Sequence, residues 1–325
     1  MAPVEAARAR HHSYALLSRL FLDGLTSDLL STLQQIAALA ALLPSSIDAD
    51  EAAATHYDLF GLNVFPYEAA FLDSGPRGSA IQLGGPVTQR VQQQMQASNY
   101  TSQAGDASPD HIGHEFGFLA HLSAAEADAW ADGRDAIAQR LRLRQRDFLH
   151  GHLLRWLPAL AQAIRDQAQP FYTALGELAL ELVQDHTLAL PPSEMKASTH
   201  TLAAPSLNDE KTGLRQIARF LSAPTLSGIY LSRDTISAMA RDVGVPRGFG
   251  GRQQMLENLF RAAVQYDSLD ALLHALNVVV LRWQRAYRDA FVADLYPFMQ
   301  PWQARTSATR ALLEEMSVIS REYGD

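Results

Sequence analysis

Apolar residues recur at spacings of three and four along almost the whole chain, and that period fits an α-helix and little else. Tyr14, Leu17 and Phe21 share one stripe, and Leu29, Leu33 and Ile36 a second. Leu149, Leu153, Trp156, Leu160 and Ile164 continue the pattern over about four turns. Phe171, Leu175, Leu178 and Leu182 follow, then Leu269, Leu272, Leu276, Val279, Trp283 and Tyr287. The strict alternation of a half-buried strand is nearly absent, and Val278-Val279-Val280 lies inside a helical stripe. These stripes predict an all-α fold in which each helix buries one face.

Helix breakers divide the pattern. Pro44-Ser45-Ser46 ends an early helix, and Gly75-Pro76-Arg77-Gly78 with Gly84-Gly85-Pro86 brackets an irregular loop. Gln103 to Pro109 is a polar connector of small residues. The clearest linker runs from Leu190-Pro191-Pro192-Ser193 to Ala204-Pro205, because adjacent prolines cannot continue a helix. Residues 1–190 therefore read as one helical domain, 191–205 as a linker, and 206–325 as a second helical block.

Composition narrows the function classes. With 47% hydrophobic and 19% charged residues the chain is globular rather than disordered. A net charge of −8 argues against a general binder of nucleic acid or anionic membrane, and suits a basic peptide as partner. The absence of cysteine removes disulfides, thiolate zinc sites and protein-ligated iron–sulfur clusters. No run approaches the ~20 apolar residues of a membrane span. Ser18, Arg19 and Asp23 interrupt any signal-like core at the N-terminus, so the expected location is the cytoplasm.

Two segments concentrate polar side chains against apolar ones. In the first, Ser108 reads as a helix N-cap, with Pro109 in the first turn and Asp110 where the helix dipole favours negative charge. His111, Glu115, Phe118 and Leu122 continue that helix toward an apolar face. In the second, Phe65-Pro66-Tyr67-Glu68-Ala69-Ala70-Phe71, the proline turns the chain before a short helix that presents a phenol and a carboxylate. Other readings of the first segment are weaker. His111, His114, Glu115 and His121 lack the spacing of the zinc-protease helix. Asp110 and His111, as helical neighbours, would point about 100° apart and so form no acid–base dyad. No nucleophile elbow or phosphate-binding loop is present, so no enzyme activity is expected. Arg140, Arg142, Arg144 and Arg146 spread around their helix as a solvated face would.

These segments, with Phe148-Leu149, His152-Leu153, Trp156 and Pro158 downstream, resemble the TorD/DmsD/NarJ family of cytoplasmic chaperones for molybdenum enzymes. The family usually reads Pro-Pro-Tyr-Glu-Ser at the first segment, so its first Pro and its Ser are missing here. The resemblance covers the first block and implies a TorD-like helical bundle, with the second block as an addition. It implies binding of the apo catalytic subunit of a DMSO-reductase-type molybdoenzyme, and of its twin-arginine signal peptide, until cofactor insertion is complete. Pro66, Tyr67, Glu68, Phe71, Asp110, His111, Glu115, Phe118 and Leu122 are the candidate contacts. Glu68, Asp110 and Glu115 would meet the basic part of the peptide, Tyr67, Phe71, Phe118 and Leu122 the apolar part, and His111 would shape the mouth. Release of cargo suits a micromolar affinity, about 8 kcal/mol. On this reading Asp110→Ala with His111→Ala weakens binding and leaves melting nearly unchanged. No stably bound metal or cofactor is expected. The resemblance leaves room for weak guanine-nucleotide binding, for transient contact with the molybdenum cofactor through the client, and for a homodimer.

The second block offers one alternative. Ser232 caps a helix to Val243, Gly244-Val245-Pro246 stops it, and Arg247-Gly248-Phe249-Gly250-Gly251-Arg252 leads into a second helix. Residues 231–263 could thus serve a DNA-binding regulator. From Leu207 to Ala263, however, eight basic residues face five acidic ones, a small excess for a phosphate-binding surface.

Overall fold

A computed structural model describes residues 2–73, 84–101, 107–192, 204–209 and 211–324. The loop with Gly75-Pro76-Arg77-Gly78 and most of the linker, residues 193–203, lie outside the described residues. The chain divides into two compact units, Met1–Ala69 with Gln82–Lys196, and Ala70–Ile81 with Ala197–Asp325. The sequence places a boundary within 191–205. It gives no sign that residues 70–81 belong with the second unit.

The first unit contains α1 (Pro3–Leu22), α2 (Leu30–Leu33), α3 (Ala37–Ala40) and α4 (Ala49–Tyr57), then α5 (Glu68–Leu72), whose last residues fall in the second unit. It continues with α6 (Pro86–Gln96), α7 (Ile112–Ala131), α8 (Asp135–Gly151), α9 (Leu153–Arg165) and α10 (Pro170–Ala189). Among the described residues there is no strand, only an isolated bridge between Tyr67 and His111. No described helix is long and apolar enough to cross a membrane.

Helix α1 lies tightly along α7, and two glycines one turn apart explain the approach. A Cβ on Gly113 would come within 2.5 Å of Leu22 Cγ and 3.0 Å of the Ser18 carbonyl oxygen. One on Gly117 would come within 3.2 Å of Ser18 Oγ on α1, and within 2.6 Å of the Tyr100 hydroxyl. Tyr14, Leu17 and Phe21 on α1 are buried, as the stripe predicts, and Leu20 is buried beside them. A buried polar network adds specificity to this packing. Arg10 donates to both carboxylate oxygens of Glu126 at 2.9 and 2.8 Å, and Gln145 and Trp130 donate to the same carboxylate at 2.9 and 3.2 Å.

The apolar run from Leu149 to Ile164 is not one helix. It breaks at His152, whose backbone leaves the helical region at φ −127 and ψ −91. Of the thirteen residues of α9, all but Arg155 and Arg165 are buried, so this helix is the centre of the unit.

The second unit holds α11 (Leu214–Ser222), α12 (Pro224–Ser227), α13 (Arg233–Asp242), α14 (Arg252–Gln265), α15 (Leu269–Asp289) and α16 (Gln300–Gly324). Trp283, Tyr287 and Trp302 form its aromatic core, and the Tyr287 hydroxyl donates to the Gly228 carbonyl at 2.8 Å. Ser232 caps α13 by accepting from the Thr235 amide. Arg252, at the end of the connector of the DNA-binding alternative, lies 4.0 Å over the Tyr230 ring.

Candidate functional site

The helix expected to start on Ser108 starts at Ile112. Its N-cap is His111, whose Nδ1 accepts from the Gly113 amide at 3.1 Å. Burial pushes the His111 imidazole down to about 3, with His114 and His56 adding to the effect, so the ring stays neutral and Nδ1 keeps the lone pair that capping needs. Residues 108–110 form a turn before the helix, closed by the His111 amide donating to the Ser108 carbonyl at 2.9 Å.

That turn frees Asp110 for a partner far along the chain. Asp110 Oδ2 accepts from the Ala69 amide at 3.0 Å, its backbone carbonyl accepts from the Glu68 amide at 2.9 Å, and Ser108 Oγ donates to Oδ1. Asp110 therefore satisfies the buried amides at the start of α5 that no helical turn pairs, in place of a local cap. The Ile112 amide returns the connection by donating to the Pro66 carbonyl at 2.9 Å. The two segments singled out in the sequence are thus one interlocked element, with Tyr67 and His111 paired by the β-bridge and their rings edge to face at 4.9 Å.

Beneath this element lies an acid cluster. Glu68, Asp110 and Glu115 each have 0% exposure, so none of them offers a charge at the surface. His152 Nδ1 donates to Glu68 Oε2 at 2.7 Å, and Trp156 Nε1 donates to Glu115 Oε2 at 3.3 Å. Burial holds the Glu115 carboxyl well above the usual range, and the nearby charges of Glu68 and Asp110 push it the same way. The Glu115 carboxyl therefore favours its protonated form. The Oε1 atoms of Glu68 and Glu115 are both buried, and neither has a hydrogen-bond partner among the described residues.

The remaining candidates separate. Pro66, Phe118 and Leu122 are buried, and Phe118 packs against Tyr100 and Phe148 with ring centroids 5.4 and 4.8 Å apart. Phe71 belongs to the second unit, where it stacks on Tyr230 at 5.1 Å and is fully buried. Tyr67 alone of the nine is half-exposed, and Ala107, Ser108 and Pro109, just before His111 in the chain, are half-exposed as well. Two partners of the cluster, His152 and Trp156, stood outside the candidate set. Their signal was a histidine one turn before a tryptophan, both set into an apolar stripe that could not leave them in water.

Comparison with known proteins adds a relationship. Residues 24–162 match the family model described as nitrate reductase delta subunit. The chain is 30% identical over 203 residues to the chaperone protein TorD of Vibrio cholerae serotype O1 (El Tor Inaba N16961), covering 59% of this chain and 86% of that protein. It is 37% identical over 89 residues to the chlorate reductase assembly chaperone protein of Ideonella dechloratans, 27% of this chain and 45% of that one. With the selenate reductase assembly chaperone protein of Thauera selenatis the identity is 40% over 78 residues, 24% and 39% of the two chains. No solved structure matches.

Proposed function

Because the chain belongs to the TorD family of assembly chaperones, we propose that it holds the cofactor-free catalytic subunit of a molybdopterin-dependent reductase of the DMSO reductase type until cofactor is inserted. The family is one of chaperones rather than catalysts. The observation that carries the proposal is the 86% coverage of a TorD chaperone by a chain whose Tyr67 and Asp110-His111 segments interlock into one element. In this proposal the element faces the client, and the twin-arginine signal peptide is part of what it reads in the cytoplasm. Tyr67 supplies the accessible ring, which joins an apolar face to a hydroxyl. Glu68, Asp110, Glu115 and His111 act from below by fixing the position of that ring and of the 108–110 turn. Pro66, Phe118 and Leu122 support the same element, and Phe71 anchors the end of α5.

The test is complex formation between the purified chain and the apo-subunit of the reductase encoded in the same organism, measured by calorimetry with and without the subunit's leader. The expected result is a 1:1 complex of roughly micromolar affinity, weakened by Tyr67→Ala about tenfold or more while the chain stays folded, the lost ring contact with His111 costing about 0.5–1.5 kcal/mol of stability. A chain that binds neither form of the subunit refutes the proposal.

A further inference from the structure

Helix α10 carries apolar side chains beyond the face it buries, along one flank. Its inward face is Tyr172, Leu175, Ala179, Val183 and His186, all buried. A stripe along one flank of that face reads Leu178, Glu181, Leu182 and Asp185 at spacings of three and four. Leu178 and Leu182 are half-exposed and Leu188 is 47% exposed. Between this stripe, Leu16 and Leu20 of α1, and Ile36 and Leu39 lies an open groove of about 310 Å³. Glu181 and Asp185, one turn apart and exposed, stand on its edge, and no lysine, arginine or histidine lines it. Glu177, one turn earlier, is already paired with Arg165 at 2.9 Å, whereas no ion pair to Glu181 or Asp185 occurs among the described residues.

We propose that this groove docks an apolar peptide segment that carries a lysine or arginine within a turn of its apolar side chains. The volume sits at the small end of ligand clefts, roughly 300–1,000 Å³. It therefore admits a few side chains while the rest of the segment lies along α10. Anchors at three- and four-residue spacing are how a groove of this kind reads an amphipathic partner. The two carboxylates supply the matching charge, which orients the segment and excludes an acidic one. The proposal rests on the chaperone reading for the source of the segment, a client chain, and uses none of the residues of the Tyr67–His111 element.

The probe is a dye-labelled leucine–alanine peptide with two N-terminal lysines, compared by anisotropy with the same peptide carrying two glutamates. The full-length chain should prefer the lysine peptide. Leu178→Glu should weaken its binding about tenfold or more. Glu181→Lys with Asp185→Lys should reverse the preference between the peptides, and these surface changes leave the buried face of α10 intact. Equal binding of both peptides, or variants that bind as the parent does, overturns the proposal. So does a dimer that Leu178→Glu converts to monomer, since the groove would then be covered by a second copy of the chain. The two readings fail separately. If parent and Leu178→Glu chains capture a reductase apo-subunit equally well, the groove fails and the chaperone reading stands. If the peptide results hold but no reductase subunit binds, the groove stands and the chaperone reading fails.

Discussion

Replacing Asp110 by alanine should destabilise the first unit by about 2–3 kcal/mol. The Asp110 carboxylate accepts from the buried Ala69 amide and from the Ser108 hydroxyl. Ser108 is half-exposed and can turn to water, so its loss adds little. The Ala69 amide is buried and would be left without its acceptor, which costs about 1–3 kcal/mol, and loss of a helix cap typically costs about 1 kcal/mol. Asp110→Asn keeps one acceptor for the Ala69 amide and should cost only about 1 kcal/mol. Against a domain stability of about 5–15 kcal/mol, the alanine variant is a visible loss. In urea, with a slope of about 1–3 kcal/mol per molar, its midpoint should fall by about 1 M. Unfolding followed by circular dichroism, with hydrogen exchange read at the Ala69 amide, makes the measurement. An alanine variant within about 0.5 kcal/mol of the parent, or an asparagine variant as costly as alanine, refutes the reasoning. This reverses the expectation drawn from sequence, in which Asp110→Ala with His111→Ala leaves melting unchanged. Client binding is better tested at Tyr67.

Glu115 keeps a proton that the unfolded chain releases, so its contribution to stability is complete below the unfolded carboxyl range and is lost as pH rises toward its raised native value. Glu115→Gln should flatten that decline, and urea midpoints from pH 5 to 9 that fall as steeply as in the parent would contradict it. Arg10→Ala leaves the Glu126 carboxylate buried without its bidentate partner and should cost about 3–5 kcal/mol in chemical denaturation. A loss below 1 kcal/mol there would mean that Gln145, Trp130 and Arg142 suffice. In the second unit Gly228 has φ +77, and a Cβ would lie 2.8 Å from the Thr306 amide nitrogen. Gly228→Ala should therefore cost more than the ~1–2 kcal/mol of the left-handed backbone alone, and a thermal transition of that unit at the parent's temperature would contradict this.

The helices were legible because each buries one side, and a one-sided stripe is written directly in residue spacing. Leu269 to Tyr287 is read from sequence as one helix and is one helix. Spacing fails where a backbone break keeps the stripe in phase, as at His152, where two helices share one apolar run. The start of α7 was misplaced because Ser108 and Pro109 are good local choices for a helix start, while the chain spends Asp110 on an amide 41 residues away. Glu68 and Glu115 were legible as carboxylates near an apolar surface. Their burial was not, because it depends on His152 and Trp156 arriving from α8 and α9. Likewise Leu175 and Leu178 look alike in the stripe of α10 and both line the groove, yet Leu175 is buried and Leu178 is half-exposed.

The most direct test of the client-holding reading is capture of the tagged chain from its own cells, with mass spectrometry and metal analysis of what it retains. The account predicts one reductase catalytic subunit, depleted of molybdenum and still carrying its leader, and loss of that subunit with Tyr67→Ala. Recovery of the subunit only in its molybdenum-loaded form, or enrichment of duplex DNA in place of any reductase, would contradict it.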